Sequence, residues 1–459
     1  MGCLRAGIKA VAVGVKGSKP IPDELVPQIL AALETLDGAS GAELEPARQR
    51  LASFLGTLFV KHNIAESDAF VLTAVAKRRL QLAGEGRSRG GCSSAQLLSV
   101  ACGDGAASAE LLRLCRALLD GEVLSAGEAE ALGRRLYDSN EPAAARTLAA
   151  HVLRVRYETR EEFAGLLRAQ AATVDREGER AQTHSCPPFP APPPLRTHER
   201  RIVQLAEPFD GIDRSPLLTP LIARHLQRRW RALAVTQVGP TSGPKYGPNA
   251  RDLALALGAD EAPFMRSNAE VAWRVARSGY LPEYGMYIDQ EAVSPALAEW
   301  VTLRRNIIKR PFLATSEKLV DSCGASVLIA SAFHPSFTDK MFNMAEDATA
   351  FPACIIVRRG LEGTLGFGLG KPAEVTCGVR GSDGRFERMD FAFGPKDIGL
   401  ATEMDKPLSD ISSEDFAAKC ERWAASGSSG DTRFDNHVAV TLAGIDKAME
   451  WVLPKLPPL

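Results

Sequence analysis

Nine cysteines are scattered over 459 residues with no C-x-x-C pair among them. A zinc centre needs clustered thiolates or imidazoles, so none is expected from this spacing. Dispersed thiols fit a reducing compartment, and the first residues lack the long apolar stretch of a secretory signal. Met1-Gly2-Cys3 opens like an acylation signal, but Ala6 stands where that signal requires Ser or Thr. No apolar run approaches the roughly 20 residues of a membrane helix. Net charge is scarce as well: 55 Lys and Arg against 56 Asp and Glu leave a formal charge of -1. That excludes a global field for polyanions, so any such contact must be a local patch. Aromatics are only 6%, which argues against an all-β shell. Ala and Leu are plentiful and favour helices and helix-covered sheet.

Residues 1 to about 175 read as helical. Leu25, Ile29, Leu30 and Leu33 recur at helical spacing, as do Leu51, Phe54, Leu55 and Leu58. Ser125 to Glu128 and Thr159 to Glu162 have the form of capping boxes. Gly/Ser-rich stretches at 84–94 and 102–108 read as loops. Residues 53–61 resemble residues 148–156, each an apolar helix ending in a cation. Each is followed by a segment with early acids, Glu66 and Asp68 or Glu161 and Glu162. This is an internal repeat or two helical hairpins of like composition. Residues 176–200 carry Cys186-Pro187-Pro188-Phe189-Pro190-Ala191-Pro192-Pro193-Pro194, which predicts an extended spacer.

From 201 onward the pattern changes. Apolar runs at 232–235, 326–330 and 353–357 read as buried parallel strands. Helical patterns at 217–230, 250–257, 295–308 and 339–349 lie between and around them. Helices at 409–425 and 436–453 close the chain, with Ser412 and Asp435-Asn436 as expected starts. Alternating strand and helix predicts an α/β fold, with a mostly parallel sheet flanked by helices behind an N-terminal helical domain.

Several segments in order resemble glycosyltransferase family 3, the group of anthranilate phosphoribosyltransferases and pyrimidine nucleoside phosphorylases. Leu124 to Ala129, Leu148 to Thr159 and Glu161 to Leu166 are similar to its small helical domain. The segment RRNIIKRPFLATSEKLVDS at 304–322 is similar without gaps to an RRELGIRTIFNLLGPLTNP-type stretch. Ile355 to Glu362 resembles the strand that ends in a G-L-D-E turn, and Gly394 to Leu400 continues the order. The resemblance covers roughly 120–450, and with the zones read above it divides the chain into a helical region 1–110, a family helical domain 111–175, the linker 176–200 and an α/β domain 201–459. It implies displacement at the anomeric carbon of a ribose phosphate, with Mg²⁺ and phosphoribosyl pyrophosphate, and a homodimer built on the helical domain. No nicotinamide or flavin is expected.

The resemblance also assigns candidate residues. Gly211, Asp213, Arg214 and Ser215 stand where the family carries its G-T-G-G-D phosphate turn. That turn works by offering bare backbone N–H groups to phosphate. Here one glycine remains, and the acids Asp210 and Asp213 would repel pyrophosphate. Thr241, Ser242, Gly243 and Lys245 lie near the position of the K-H-G-N-R segment and can hold an anion or simply form a turn. Glu362 is the surviving acid of the G-L-D-E turn, half of a Mg²⁺ pair, because Gly363 replaces the other. Arg304, Arg305 and Arg310 match family arginines and are the candidates to hold a small anionic substrate through bidentate guanidinium contacts. Their alternative is a solvated helix face with a salt bridge to Glu299. His334 reads as a helix-start residue, and the glycines of 360–370 lack the helix a nucleotide loop needs.

Three functions follow: a pentosyltransferase of the anthranilate phosphoribosyltransferase type, a paralogue that binds nucleic acid or a nucleotide, or a silent regulatory or structural subunit. The basic stretches 196–201 and 224–231 are the feature that favours nucleic acid.

Overall fold

The computed structural model describes residues 2–12, 21–36, 44–60, 93–102, 107–174, 200–258, 264–265, 281–334, 336–408 and 412–458. The Pro-rich segment 186–194, most of the loop at 84–94, and Glu66 and Asp68 lie outside them. The chain divides into two compact units. One is residues 1–169 with 299–313, and the other is residues 170–298 with 314–459. Among the described residues no helix is long and apolar enough to cross a membrane.

The first unit is helical: α1 (Gly2–Val11), α2 (Val26–Leu36), α3 (Leu44–Val60), α4 (Ser94–Cys102), α5 (Ala109–Leu119), α6 (Ala126–Leu136), α7 (Ala143–Arg156) and α8 (Arg160–Ala171). Both capping boxes form. Ser125 Oγ accepts from Glu128 N–H while Glu128 Oε2 accepts from Ser125 N–H. Thr159 and Glu162 exchange the same two bonds. Residues 53–60 and 148–156 of the two similar segments sit on α3 and α7, which pack against each other. The buried Glu162 pairs with Arg156 and also accepts from Leu124 N–H, so its charge is compensated.

The second unit is built on one sheet: β1 (Ile202–Ala206), β2 (Leu233–Val238), β3 (Phe264–Met265), β4 (Met286–Asp289), β5 (Val327–Ala332), β6 (Ala353–Arg358), β7 (Ala373–Arg380) and β8 (Phe386–Phe393). Their order is β3-β4-β2-β1-β5-β6-β7-β8. Every pair from β3 to β6 is parallel, and β7 and β8 add an antiparallel hairpin at one edge. β1, β2, β5 and most of β6 are buried on both faces, which is why they are continuous apolar runs. The longer helices among the described residues are α9 (Thr219–Arg229), α10 (Ala250–Ala256), α11 (Pro295–Ile307), α12 (Ser336–Ala348), α13 (Ser413–Ser426) and α14 (Thr432–Val452). From Glu299 onward α11 belongs to the helical unit.

α14 starts earlier than Asp435-Asn436. Asp431 caps it, accepting from Arg433 and Phe434 N–H, because a carboxylate just outside the first turn satisfies the orphan donors. His334 precedes α12 and accepts from Phe337 N–H through its carbonyl.

Candidate functional site

β1 is flanked by β2 on one side and β5 on the other. The chain winds one way from β1 and later returns to its opposite side. In an open parallel sheet that reversal leaves a crevice at the carboxyl ends of the strands. The loops after β1 (207–218), β2 (239–249) and β6 (359–372) meet there. A pocket of about 690 Å³ opens beside them, and its lining includes Asp213, Arg214, Ser215, Phe333, Glu362, Gly370 and Lys371. Its lining also includes Thr402 to Leu408 with Phe416, Lys419, Asp431, Arg433, Phe434 and His437.

The turn after β1 does not open into a helix. Residues 211–215 are irregular, and α9 begins only at Thr219. Gly211 N–H donates to Pro208 O at 3.4 Å, and Ile212 N–H donates to Pro248 O at 2.9 Å. Gly211 has φ +74, and a side chain there would meet Gly247 O at 2.1 Å. The glycine therefore serves close contact between two loops of the protein. Ser242 N–H and Asn249 Nδ2 both donate to Phe209 O. The two loops are thus stitched together, and these backbone donors are spent inside the protein.

The polar side chains of the second loop are engaged as well. Thr241 Oγ1 donates to Asp252 Oδ2 at 3.1 Å, and Ser242 is fully buried. Gly243 precedes Pro244 in a cis peptide. Lys245 Nζ lies 3.4 Å from Asp213 Oδ1 and 3.0 Å from Glu362 Oε1. These are ion pairs off hydrogen-bond alignment. The Lys245 side chain is 11% exposed, against 48% and 41% for the two acids. The carboxylates thus converge on an ammonium. A dication bound by Asp213 and Glu362 would have to displace it, so these residues do not fit Mg²⁺ between them. Among the described residues, no group of three or more His, Cys, Asp and Glu could hold a metal ion.

Arg304, Arg305 and Arg310 belong to the helical unit, whereas Gly211, Asp213, Arg214, Ser215, Thr241, Ser242, Gly243, Lys245 and Glu362 belong to the α/β unit. Arg304 is buried and Arg305 is exposed, so the arginines do not share one solvated face. Glu299 receives the buried Arg146 guanidinium in a bidentate pair at 2.5 and 3.1 Å. The basic stretch on α9 is partly neutralised, since Arg224 and Arg228 both reach Glu283.

Three residues at the crevice were not singled out from sequence. Glu207 follows β1 directly and is buried; its Oε1 accepts from Leu365 N–H at 2.7 Å. Burial pushes its carboxyl up to about 7. His437 on α14 is buried, and burial holds its imidazole below the usual histidine range. Asp405 reaches the turn after β6, accepting from Leu369 and Gly370 N–H. The sequence signal for Glu207 is an acid at the carboxyl end of a buried parallel strand. Asp405 and His437 have no local signal.

No protein-family model matches the sequence, and no curated protein matches it. Solved structures bear out the resemblance read from the sequence. Anthranilate phosphoribosyltransferase from Thermus thermophilus superposes with a TM-score of 0.51 at 18% identity, over 74% of this chain and 90% of that one. The Saccharomyces cerevisiae anthranilate phosphoribosyltransferase in complex with PRPP and Mg aligns with a TM-score of 0.46 at 11% identity, over 93% of this chain and 90% of that one. A variant of the yeast enzyme in complex with 4-fluoroanthranilate aligns with a TM-score of 0.46 at 10% identity, over 93% and 89%. The Thermus likeness shows the fold: this chain has the architecture of an anthranilate phosphoribosyltransferase.

Proposed function

We propose that this protein is a phosphoribosyltransferase-fold binding protein, which takes a small anion in the pocket of its α/β unit and does not carry out Mg²⁺-dependent phosphoribosyl transfer. One observation carries the reading: the Lys245 ammonium stands between Asp213 and Glu362, where a metal-bound pyrophosphate would need acids free for the metal. The spent N–H groups of Gly211 and Ile212 support it, because a phosphate turn needs open donors. The pocket keeps positive charge for an anion. Lys371 and Lys406 are exposed on its lining and make no ion pair with a carboxylate among the described residues. By contrast, Asp213 and Glu362 are paired with Lys245, and Asp431 with Lys419.

A titration of inorganic pyrophosphate in EDTA tests this reading. Saturable binding is expected without metal, weakened several-fold by Lys371→Ala. Binding that appears only with Mg²⁺ would contradict it. We infer a homodimer through the helical unit from the same resemblance. Its exposed Val123 and Tyr157 are apolar surface that an interface would cover. A monomer by light scattering at tens of micromolar, roughly the range in which a stable interface persists, would contradict that part.

A further inference from the structure

We propose that the backbone N–H groups of Leu369 and Gly370 form a phosphate site that Asp405 occupies, and that a phosphate-bearing ligand enters by displacing this side chain. The inference rests on the reading that the pocket takes a small anion, and it names the anion.

Asp405 sits in a seat built for a tetrahedral or planar oxyanion. Its Oδ1 accepts from Leu369 N–H at 2.8 Å, and its Oδ2 accepts from Gly370 N–H at 3.0 Å. Adjacent backbone donors that converge on one anion are the working part of phosphate-binding turns. The neighbouring glycine keeps the seat open: a side chain on Gly368 would lie 2.7 Å from Oδ2.

The carboxylate arrives on a strap. Residues 401–407 are exposed and in neither helix nor strand. The strap is tied down by few bonds. Glu403 N–H donates to Leu369 O at 3.0 Å, and Arg433 Nη2 donates to Met404 O and Lys406 O at 3.1 and 3.2 Å. Leu408 N–H donates to Arg214 O at 3.3 Å. Exposed backbone held by so few contacts opens at low free-energy cost.

A second side chain points to the same ligand. His437 is only 3% exposed and lines the pocket. Its Nδ1 is 2.9 Å from Phe367 O. A carbonyl can only accept, so Nδ1 carries the proton, and in the neutral ring Nε2 is a bare acceptor. Nε2 is 3.9 Å from Asp405 Oδ1, too far for a hydrogen bond, and an ionised carboxylate has no proton to offer it. An anion that also carries an O–H would satisfy the two backbone donors and Nε2 together. A protonated phosphate does this; sulfate and acetate, both fully ionised near neutral pH, do not. Lys371, next to Gly370 in the chain, adds a cation to the pocket lining.

The test compares the full-length protein with Asp405→Ala by calorimetry against inorganic phosphate, sulfate and acetate. Hydrogen exchange of the 366–371 segment is followed in parallel. Asp405→Ala is expected to bind phosphate at least roughly tenfold more tightly than the unsubstituted chain, because the competing carboxylate is gone. Phosphate should protect the Leu369 and Gly370 amides in that variant, and sulfate and acetate should bind less tightly. Asp405→Asn keeps the side-chain shape and should show a smaller gain of the same sign, which covers the case of a poorly folded alanine variant. Equal phosphate affinity in all three proteins, weakened by Lys371→Ala, would overturn the strap while leaving the pocket reading intact. No anion binding in any of them would overturn both. Tighter binding of sulfate or acetate than of phosphate would overturn the assignment to phosphate.

Discussion

Lys245 holds its ammonium 3.0 Å from Glu362 Oε1, so the loop after β2 is tied to the turn after β6 by charge. Asp213, from the loop after β1, completes the same cluster at 3.4 Å. An internal cation therefore neutralises acids that would otherwise be available to a metal. Removing it with Lys245→Ala should uncover that capacity. The variant is expected to gain weak, saturable Mn²⁺ binding by electron paramagnetic resonance, while the unsubstituted chain shows none. Both acids are substantially exposed, so solvent screens the pairs, and the stability loss should be on the order of 1 kcal/mol. A variant that binds no Mn²⁺ would show that the acids are not poised for a cation.

Glu207 supplies a pH dependence of definite sign. Burial raises its carboxyl from the ordinary 4.5 to about 7 in the folded chain. Between those values the folded protein keeps a proton that the unfolded chain gives up. Its contribution is therefore complete below about 4.5 and is lost as pH rises through about 7. Glu207→Gln keeps an oxygen for Leu365 N–H and cannot ionise. Relative to the unsubstituted chain it should gain stability with rising pH, on the order of 3 kcal/mol by about pH 8. Urea midpoints at about pH 5 and about pH 8, on either side of the shifted carboxyl, measure the difference. A constant offset between the two proteins would contradict the assignment.

His151 works in the opposite direction. It is fully buried on α7, with neither ring nitrogen hydrogen-bonded. Burial, with help from the charges of Arg154 and Lys309, lowers its imidazole to about 3. The unfolded chain takes up a proton below about 6.5 that the folded chain refuses, so stability falls as pH drops from there toward 3. His151→Leu removes that dependence. At about pH 5 the leucine variant should exceed the parent by about 2 kcal/mol more than it does at about pH 8. Thermal melts at both pH values suffice, and equal differences would contradict this assignment.

What the sequence made legible follows from how each element is specified. β5 and β6 are apolar on both faces, so the runs at 326–330 and 353–357 mark them directly. β1 is harder to see. Gln204 interrupts its pattern and is tolerated because its amide donates to Gln237 Oε1 and Val320 O. β4 has only four residues, Met286–Asp289, too few for a period to show. The site is legible only where motif residues lie in sequence order. Gly211, Lys245 and Glu362 stand out in that way, but their mutual contacts join loops far apart in the chain. Asp405 is 35 residues from Gly370, and Glu207 is 158 from Leu365. No local spacing encodes such pairs; the sheet creates them.

In the proposed function Asp213 and Glu362 pair with Lys245 and do not serve a metal-bound pyrophosphate. The most direct measurement is a calorimetric titration of phosphoribosyl pyrophosphate, with Mg²⁺ and again in EDTA, on the unsubstituted chain and on Glu362→Ala. Mg²⁺ is expected to add no affinity, and Glu362→Ala is expected not to weaken binding. Micromolar affinity that requires Mg²⁺ and is lost in Glu362→Ala would contradict this and return the chain to the ordinary enzymes of this fold.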